Sequence, residues 1–434
     1  MPAAGTSWGR YPGVKQRIVP IIDRHAGLPA VEGSMLPHGN GRSYGDSCLN
    51  DGGTLLHARH LDRFIAFDPA AGIVDCEAGV LLAEILDLVV PQGWFIAVTP
   101  GTKLVTVGGA IANDVHGKNH HRAGTFGRHV VELELVRSDR GHLLCSSTAE
   151  PELFAATVGG LGLTGLITRA RLQLRRIQGP WMVTEQLRFR SFGEFFALSE
   201  ASERDFEYTV AWVDCAAGGP RLGRGLFSRA NHAPAHPAQR PTAPSRRLAV
   251  PFTPPLSLVN RHSLKAFNTL YYHRQRGDVA HAVTHYEPYF YPLDGIGDWN
   301  RIYGPRGFVQ YQCVVPPTVA PEAITRLVTT IAAAGAGSFL AVLKQFGDVP
   351  SPGLMSFPRP GATLAMDFPF DGAPVLALLD RLDDIVGESG GAVYPAKDAR
   401  MPGVRFRQYF PAWETFSRFI DPRFSSSFWR RVET

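Results

Sequence analysis

The sequence predicts an α+β protein organised in two domains. Three observations lead there. The chain has 434 residues, more than one ordinary hydrophobic core holds. As far as residue 178, short apolar runs alternate with glycines. Beyond it, period-two strand patterns are interleaved with long amphipathic helical ones, as in an antiparallel sheet covered by helices.

In chain order, 55–56, 64–67 and 72–76 read as short strands. Residues 81–90 space their apolar side chains helically, with Glu84 and Asp87 on the other face. A strand is expected at 93–98. Alternation of Val131, Leu133 and Leu135 against Glu132 and Glu134 predicts a strand over 130–138, with a hairpin partner at 141–145. A short helix starts at Pro151, and 166–174 alternates again. Then follow a strand at 181–190, a helix at 192–203 and a strand at 208–214. Residues 231–255, rich in Pro, Ala, Arg and Ser, predict a mobile loop, read first as an ordinary long surface insertion and otherwise as one whose Leu248, Val250 and Phe252 touch lipid. Strands at 308–315, 338–345 and 362–368, with helices at 321–334 and 373–387, complete a second sheet. Residues 391–434 are aromatic and basic, and are expected to pack back on the first domain.

Hydrophobic residues make up 44% and charged residues 19%, a globular composition. The net charge of +5 suits an anionic ligand such as a pyrophosphate, but without a Lys/Arg run it gives nucleic-acid binding no support. Five widely spaced Cys fit neither a disulfide framework nor a zinc site, and point to a reducing compartment. No signal peptide or 18-residue apolar span is evident, so a cytoplasmic or peripheral, envelope-associated location is expected.

Three glycine clusters carry the chemistry. In Pro37-His38-Gly39-Asn40-Gly41-Arg42-Ser43-Tyr44-Gly45-Asp46, glycines let backbone amides approach an anion and Arg42 adds fixed charge. In Pro100-Gly101-Thr102 and Thr106-Val107-Gly108-Gly109-Ala110-Ile111-Ala112-Asn113-Asp114-Val115-His116-Gly117-Lys118-Asn119-His120-His121, a turn opening a short helix is expected to offer amides and a hydroxyl to a phosphate. The histidines at 116, 120 and 121 have metal-like spacing only in a helix. Gly117 weakens that helix and no carboxylate or Cys joins them, so no metal site is expected. Gly160-Leu161-Gly162-Leu163-Thr164-Gly165 matches G-x-G-x-x-G literally, but a helix precedes it and a strand follows, the inverse of a nicotinamide-binding unit.

Together these clusters resemble the FAD-binding domain of the vanillyl-alcohol-oxidase and p-cresol-methylhydroxylase (PCMH) superfamily. Many members carry Gly-x-Gly-His-Ser, whose His bonds covalently to the flavin. Arg42 stands at that position here, which implies non-covalent FAD. The chain is more closely similar to one subfamily, the oxidase component of decaprenylphosphoryl-β-D-ribose 2′-epimerase. The similarity extends through His116-Gly117-Lys118-Asn119-His120-His121, Trp299-Asn300-Arg301, Gln310-Tyr311-Gln312, Lys344 with Phe346-Gly347, Asp367-Phe368-Pro369 and Ala396-Lys397-Asp398.

The resemblance implies a PCMH-type FAD-binding domain over 1–178, an antiparallel-sheet substrate domain over 179–390, and a C-terminal segment, 391–434, that returns to the FAD domain. It implies oxidation of the 2′-hydroxyl of a polyprenylphosphoryl ribose to a ketone, and a separate nicotinamide-dependent short-chain reductase that completes epimerisation to the arabinose donor of cell-envelope glycans. Peripheral membrane contact is expected with such a substrate. The implied FAD contacts are Pro37, Gly39, Asn40, Gly41, Arg42, Ser43, Tyr44, Gly45, Gly101, Thr106, Val107, Gly108, Gly109, Asn113, Asp114, His116, Gly117, Ile167 and Tyr394. The implied substrate contacts are Lys118, Gln310, Gln312, Lys344, Phe290 and Ala365. Lys397 and His116 are both candidates for the base that takes the hydroxyl proton. Two positions depart from the family. Ala365 replaces a Cys, which removes a thiol that hydride transfer does not need, and Phe290-Tyr291-Pro292-Leu293-Asp294 replaces Tyr-His-Pro-Leu-Asp. An oxidase of a free sugar, alditol or aldonolactone, and a flavin-binding module without catalysis, are the alternatives.

Overall fold

The computed structural model describes residues 5–234 and 248–434. The described residues build two large antiparallel sheets, a three-stranded parallel sheet and a two-stranded parallel ribbon. In the first large sheet, Phe64–Asp68, Ile73–Glu77, Leu166–Arg176, Val130–Arg137 and Gly141–Cys145 lie side by side in that order. Trp94–Ile96 adds to the far end of Leu166–Arg176, and the helix Leu82–Val89 covers the sheet with Leu82, Ile85, Leu86 and Val89. The parallel sheet places Thr54–His57 between Arg17–Pro20 and Met35–His38, so the glycine loop at 39–45 leaves directly from a strand end.

The second large sheet has eight strands, ordered Val279–His285, Trp181–Phe189, Gly225–His232, Tyr208–Val213, Val342–Phe346, Gly361–Pro369, Phe308–Val315 and Ala392–Val393. The helices Phe192–Glu203, Ala320–Ala333 and Ala373–Glu388 contribute Phe195, Ile324, Leu327, Val328, Leu378 and Leu382 to the core on one face. Alternation turns the other face polar. In Phe308–Val315, Tyr311 and Cys313 enter the core, whereas Gln310 and Gln312 line a cleft; in Gly361–Pro369, Leu364 and Met366 enter the core, whereas Thr363 and Ala365 line the cleft.

The loop expected at 231–255 is corrected in part. Asn231 and His232 belong to the strand Gly225–His232, and Leu248–Ala249 pairs with Ile296–Gly297. The middle of that expected loop, 235–247, lies outside the described residues. Two elements give no strong sequence signal. Val279–His285 is an edge strand with four of its seven residues exposed, so no alternation marks it. Arg261–His273 buries only Leu264, Asn268 and Tyr272. The strand expected from 338 begins at Val342, because Ser338 Oγ ties back locally to the amide of Leu340 (3.0 Å).

The segment after residue 391 reaches both layers. Tyr409 and Phe406 join the core beneath Ala373–Glu388. The amides of Met35 and Ser427 donate to the carbonyls of Arg423 and Leu49.

Candidate active site

A cleft of about 1810 Å³, its open mouth included, lies between the glycine loops and the polar face of the eight-stranded sheet. Its lining runs from the glycine loop at 37–44 to Lys344 and Lys397, so both walls face one continuous space.

One wall is the loop after Met35–His38. Pro37, Gly39, Asn40, Gly41, Arg42, Ser43 and Tyr44 all line the cleft. Among the described residues, none of the amides of residues 39 to 43 has a protein acceptor. Successive unpaired amides form a nest for anionic oxygen. Gly41 has φ +61°, and a Cβ there would lie 2.4 Å from the carbonyl oxygen of Thr6; a Cβ at Gly39 would lie 2.3 Å from Thr106 Oγ1. The Arg42 guanidinium stacks 4.0 Å from the Trp8 ring, and its buried Nε has no partner among the described residues. Burial lowers the Arg42 pKa, opposed by the charge of Asp294.

The second glycine cluster behaves differently from expectation. Its helix, Val107–Ala112, does start at Thr106, but the amides there are already used. Val107 and Gly108 donate to the carbonyls of Val80 and Ala78, and Gly109 donates to Thr106 Oγ1 (3.1 Å). Gly108 serves close packing instead, since a Cβ there would meet that of Ala78 at 3.1 Å. Gly101, Thr106, Gly108, Gly109 and Asn113 nevertheless line the cleft, as does Ile167 on the strand after the third cluster. That third cluster sits between the helix Pro151–Thr157 and the strand Leu166–Arg176, and Gly162 and Gly165 also reach the cleft.

The opposite wall holds the reactive groups. Gln312 Nε2 donates to His116 Nε2 (2.9 Å) and to Thr363 Oγ1 (3.2 Å). This leaves the His116 proton on Nδ1, a buried atom without a partner among the described residues. Burial, then the charges of Lys344, His120 and Lys397, hold the His116 pKa far below its usual range. Tyr394 OH donates to the carbonyl of Asn113 (2.8 Å) and its ring stacks on Phe357.

The Lys397 ammonium lies 3.7 Å from the centre of the Tyr44 ring. Burial pulls its pKa down to about 7; Asp367 opposes the shift and Lys344 adds to it. Asp367 is itself buried and accepts from Gln310 Nε2 (2.5 Å). Burial lowers Lys344 to about 8, and its Nζ is 3.5 Å from the carbonyl of Gly117.

Six expected contacts do not line the cleft. Gly45 presses on the 397–399 backbone, where a Cβ would sit 1.6 Å from the carbonyl oxygen of Asp398. Val107 is core. Asp114, at φ +39°, accepts from the Gly127 amide and the hydroxyls of Ser351 and Ser356. Gly117 packs 2.8 Å, measured from a would-be Cβ, against the carbonyl of Thr99. Lys118 Nζ donates to the carbonyl of Phe290 (3.0 Å), and burial followed by Lys344 lowers it to about 7. Phe290 itself packs among Phe95, Tyr208 and His232.

Trp8, Asp294, Thr363 and Leu161 line the cleft without having been expected there. Asp294 carried a signal, ending the Pro-Leu-Asp segment; it accepts from Thr102 Oγ1 (2.7 Å) and the Lys103 amide (2.8 Å), which fixes the turn after Gly101. Trp8 carried none.

A sequence profile for an FAD binding domain matches residues 30–146. Over 433 residues the chain is 37% identical to decaprenylphosphoryl-β-D-ribose oxidase of Mycolicibacterium smegmatis, covering 95% of this chain and 92% of that protein. An uncharacterised protein of Streptomyces coelicolor is 34% identical over 81% of this chain and 100% of its own length. Cytokinin dehydrogenase 6 of Oryza sativa is 28% identical over 47% of this chain and 41% of its own.

Proposed function

Because the chain belongs to the decaprenylphosphoryl-β-D-ribose oxidase family, we propose that it is an FAD-dependent oxidoreductase that takes the 2′-hydroxyl of a polyprenylphosphoryl-β-D-ribose to the 2′-ketone. The observation that carries this reading is the pairing of two walls. A nest of amides at 39–43, unpaired among the described residues, faces a polar sheet bearing Gln310, Gln312, Lys344 and, beside it, Lys397.

FAD fits the first wall. Gly39 and Gly41 let the loop pack against Thr106 and Thr6 where a Cβ would clash, and the buried Arg42 Nε there, like His116 Nδ1 across the cleft, has no partner among the described residues. The loop 37–44, with Gly101, Thr106, Gly108, Gly109, Asn113, Ile167 and Tyr394, holds the cofactor; Gly45, Val107, Asp114 and Gly117 shape that wall from behind. Arg42 cannot form the histidyl bond, so FAD stays dissociable. Acid precipitation should give a yellow supernatant and a colourless pellet; a yellow pellet would overturn this.

Oxidising a secondary alcohol removes a hydride from carbon and a proton from oxygen. Bound FAD supplies the hydride acceptor. The proton falls to the protein, and Lys397 is the base. A base works best with a pKa near the working pH, and Lys397 is close to 7 whereas His116 lies far below its usual range. His116, fixed by Gln312, orients the wall. Lys344 attracts the phosphate, Gln310 and Gln312 meet the sugar, and Ala365 leaves space beside them. Lys118 and Phe290 brace that pocket one layer back.

The chain divides functionally into 1–178 for the cofactor, 179–390 for the substrate and 391–434 as the tie between them. A nicotinamide-dependent short-chain reductase completes the epimerisation on the product. Among the described residues no helix is long and apolar enough to cross a membrane, which favours peripheral access to the lipid. Mixing the oxidised protein with a polyprenylphosphoryl ribose without other acceptors should bleach the flavin spectrum, while alditols and aldonolactones should not. Bleaching by alditols alone would overturn the assignment.

A further inference from the structure

From Cys215 to Gly277 the chain contains no Asp or Glu but ten Lys and Arg. The remainder carries five more acidic than basic residues, so the net positive charge of the protein resides in this stretch. Within it, 250–276 also brings large apolar side chains to the surface. Leu256 is 78% exposed, Leu270 72% and Phe252 67%, with Leu258 and Phe267 exposed as well. Exposed apolar groups of this size gathered in one short basic stretch mark a contact surface. Exposed Arg261, Lys265, Arg274 and Arg276 lie on, or just after, the helix Arg261–His273.

This surface adjoins the cleft. The Leu258 amide donates to the carbonyl of Ile302 (2.8 Å), and the Val250 amide donates to that of Gly297 (2.9 Å). Val259 and Leu264 pack with Trp299, which lines the cleft. Protein interfaces match charges of both signs, whereas this stretch offers only one. Apolar groups among cations alone fit a uniformly negative sheet with an oily margin.

We infer that residues 250–276 form a docking surface for an anionic bilayer, with Phe252, Leu256 and Leu270 entering the headgroup margin and the basic side chains resting on lipid phosphates. This rests on the lipid-linked substrate proposed above, because the surface brings the cleft mouth to the membrane that carries it.

The full-length holoenzyme should co-sediment with vesicles of phosphatidylcholine plus phosphatidylglycerol and not with phosphatidylcholine alone, and added salt should release it. Lys265→Glu and Leu270→Ser should each weaken vesicle binding by about fivefold or more. Both should oxidise a short-chain, water-soluble phosphoryl-ribose analogue at the wild-type rate. Equal binding to neutral vesicles, or variants that bind as the wild type does, would overturn the inference. So would variants that keep vesicle binding but lose capture of the reductase, since the surface would then be a protein interface. A wild type that binds anionic vesicles but never oxidises the analogue would instead refute the substrate assignment.

Discussion

Lys397 and Lys344 are half-buried on the same side of the cleft; loss of solvation lowers both and Lys344 lowers Lys397 further, and this sets the pH behaviour of the site. Lys397 must lose its proton to act as base, so kcat/KM should rise with pH through about 7. Lys344 must keep its proton to hold a phosphate, so kcat/KM should fall as pH passes about 8. A narrow optimum between the two limbs is expected, and kcat/KM measured from pH 6 to 9 as an experimental range of about three units checks it. Lys397→Met should lower flavin reduction by about 10²–10⁴-fold, keep its FAD and lose the acidic limb. A variant that retained that limb would move the base elsewhere. Lys397 was legible in Ala396-Lys397-Asp398 through resemblance alone; its depressed pKa was not, because that depends on burial and on Lys344 and Asp367, both remote in sequence.

The cofactor loop and the 396–398 turn are held together as one unit. The Tyr44 amide donates to the carbonyl of Ala396 (2.9 Å), Gly45 lies against Asp398, and Arg431 bridges Asp46 (2.7 Å) and Asp398 (2.9 Å) from the C-terminal helix Ser427–Glu433. Gly45→Ala would drive a methyl group into a backbone carbonyl and should lower the flavin-to-protein absorbance ratio after gel filtration. Arg431→Met leaves two buried carboxylates without their shared cation and should cost about 3 kcal/mol in urea denaturation. Its FAD content should fall in parallel; unchanged FAD affinity would show that the clamp serves stability alone. At this scale the sequence marked the strands with clear alternation, such as Val130–Arg137, and the helices Ala320–Ala333 and Ala373–Glu388. It passed over Val279–His285, whose exposed edge position removes the apolar pattern that would reveal it.

Across the whole molecule, burying these lysines links folding to protons. An unfolded lysine holds its proton up to its ordinary 10.5, whereas the folded Lys397 and Lys344 release theirs near 7 and 8. Between those values the unfolded chain binds more protons, so raising the pH favours the fold. The FAD-free protein should therefore gain more stability from pH 7 to about 9 than the Lys344→Met, Lys397→Met double variant does, as read from denaturation midpoints. Equal gains would mean that the lysines stay charged when folded. The sequence by itself determined the α+β class and the glycine-rich loop at 39–45, and Arg42 within it, which the resemblance sets where many family members carry a flavin-linking His. Those follow from local pattern and from the identity of single residues. Only the tertiary structure decided that, among the described residues, the amides of 39–43 are free while those of 107–109 are spent, that Trp8 lies against Arg42, and that Lys118 and Phe290 stand behind the pocket. Each of these is a matter of which distant groups claim a donor, a ring face or a volume, and that is fixed when the sheets pack and not before.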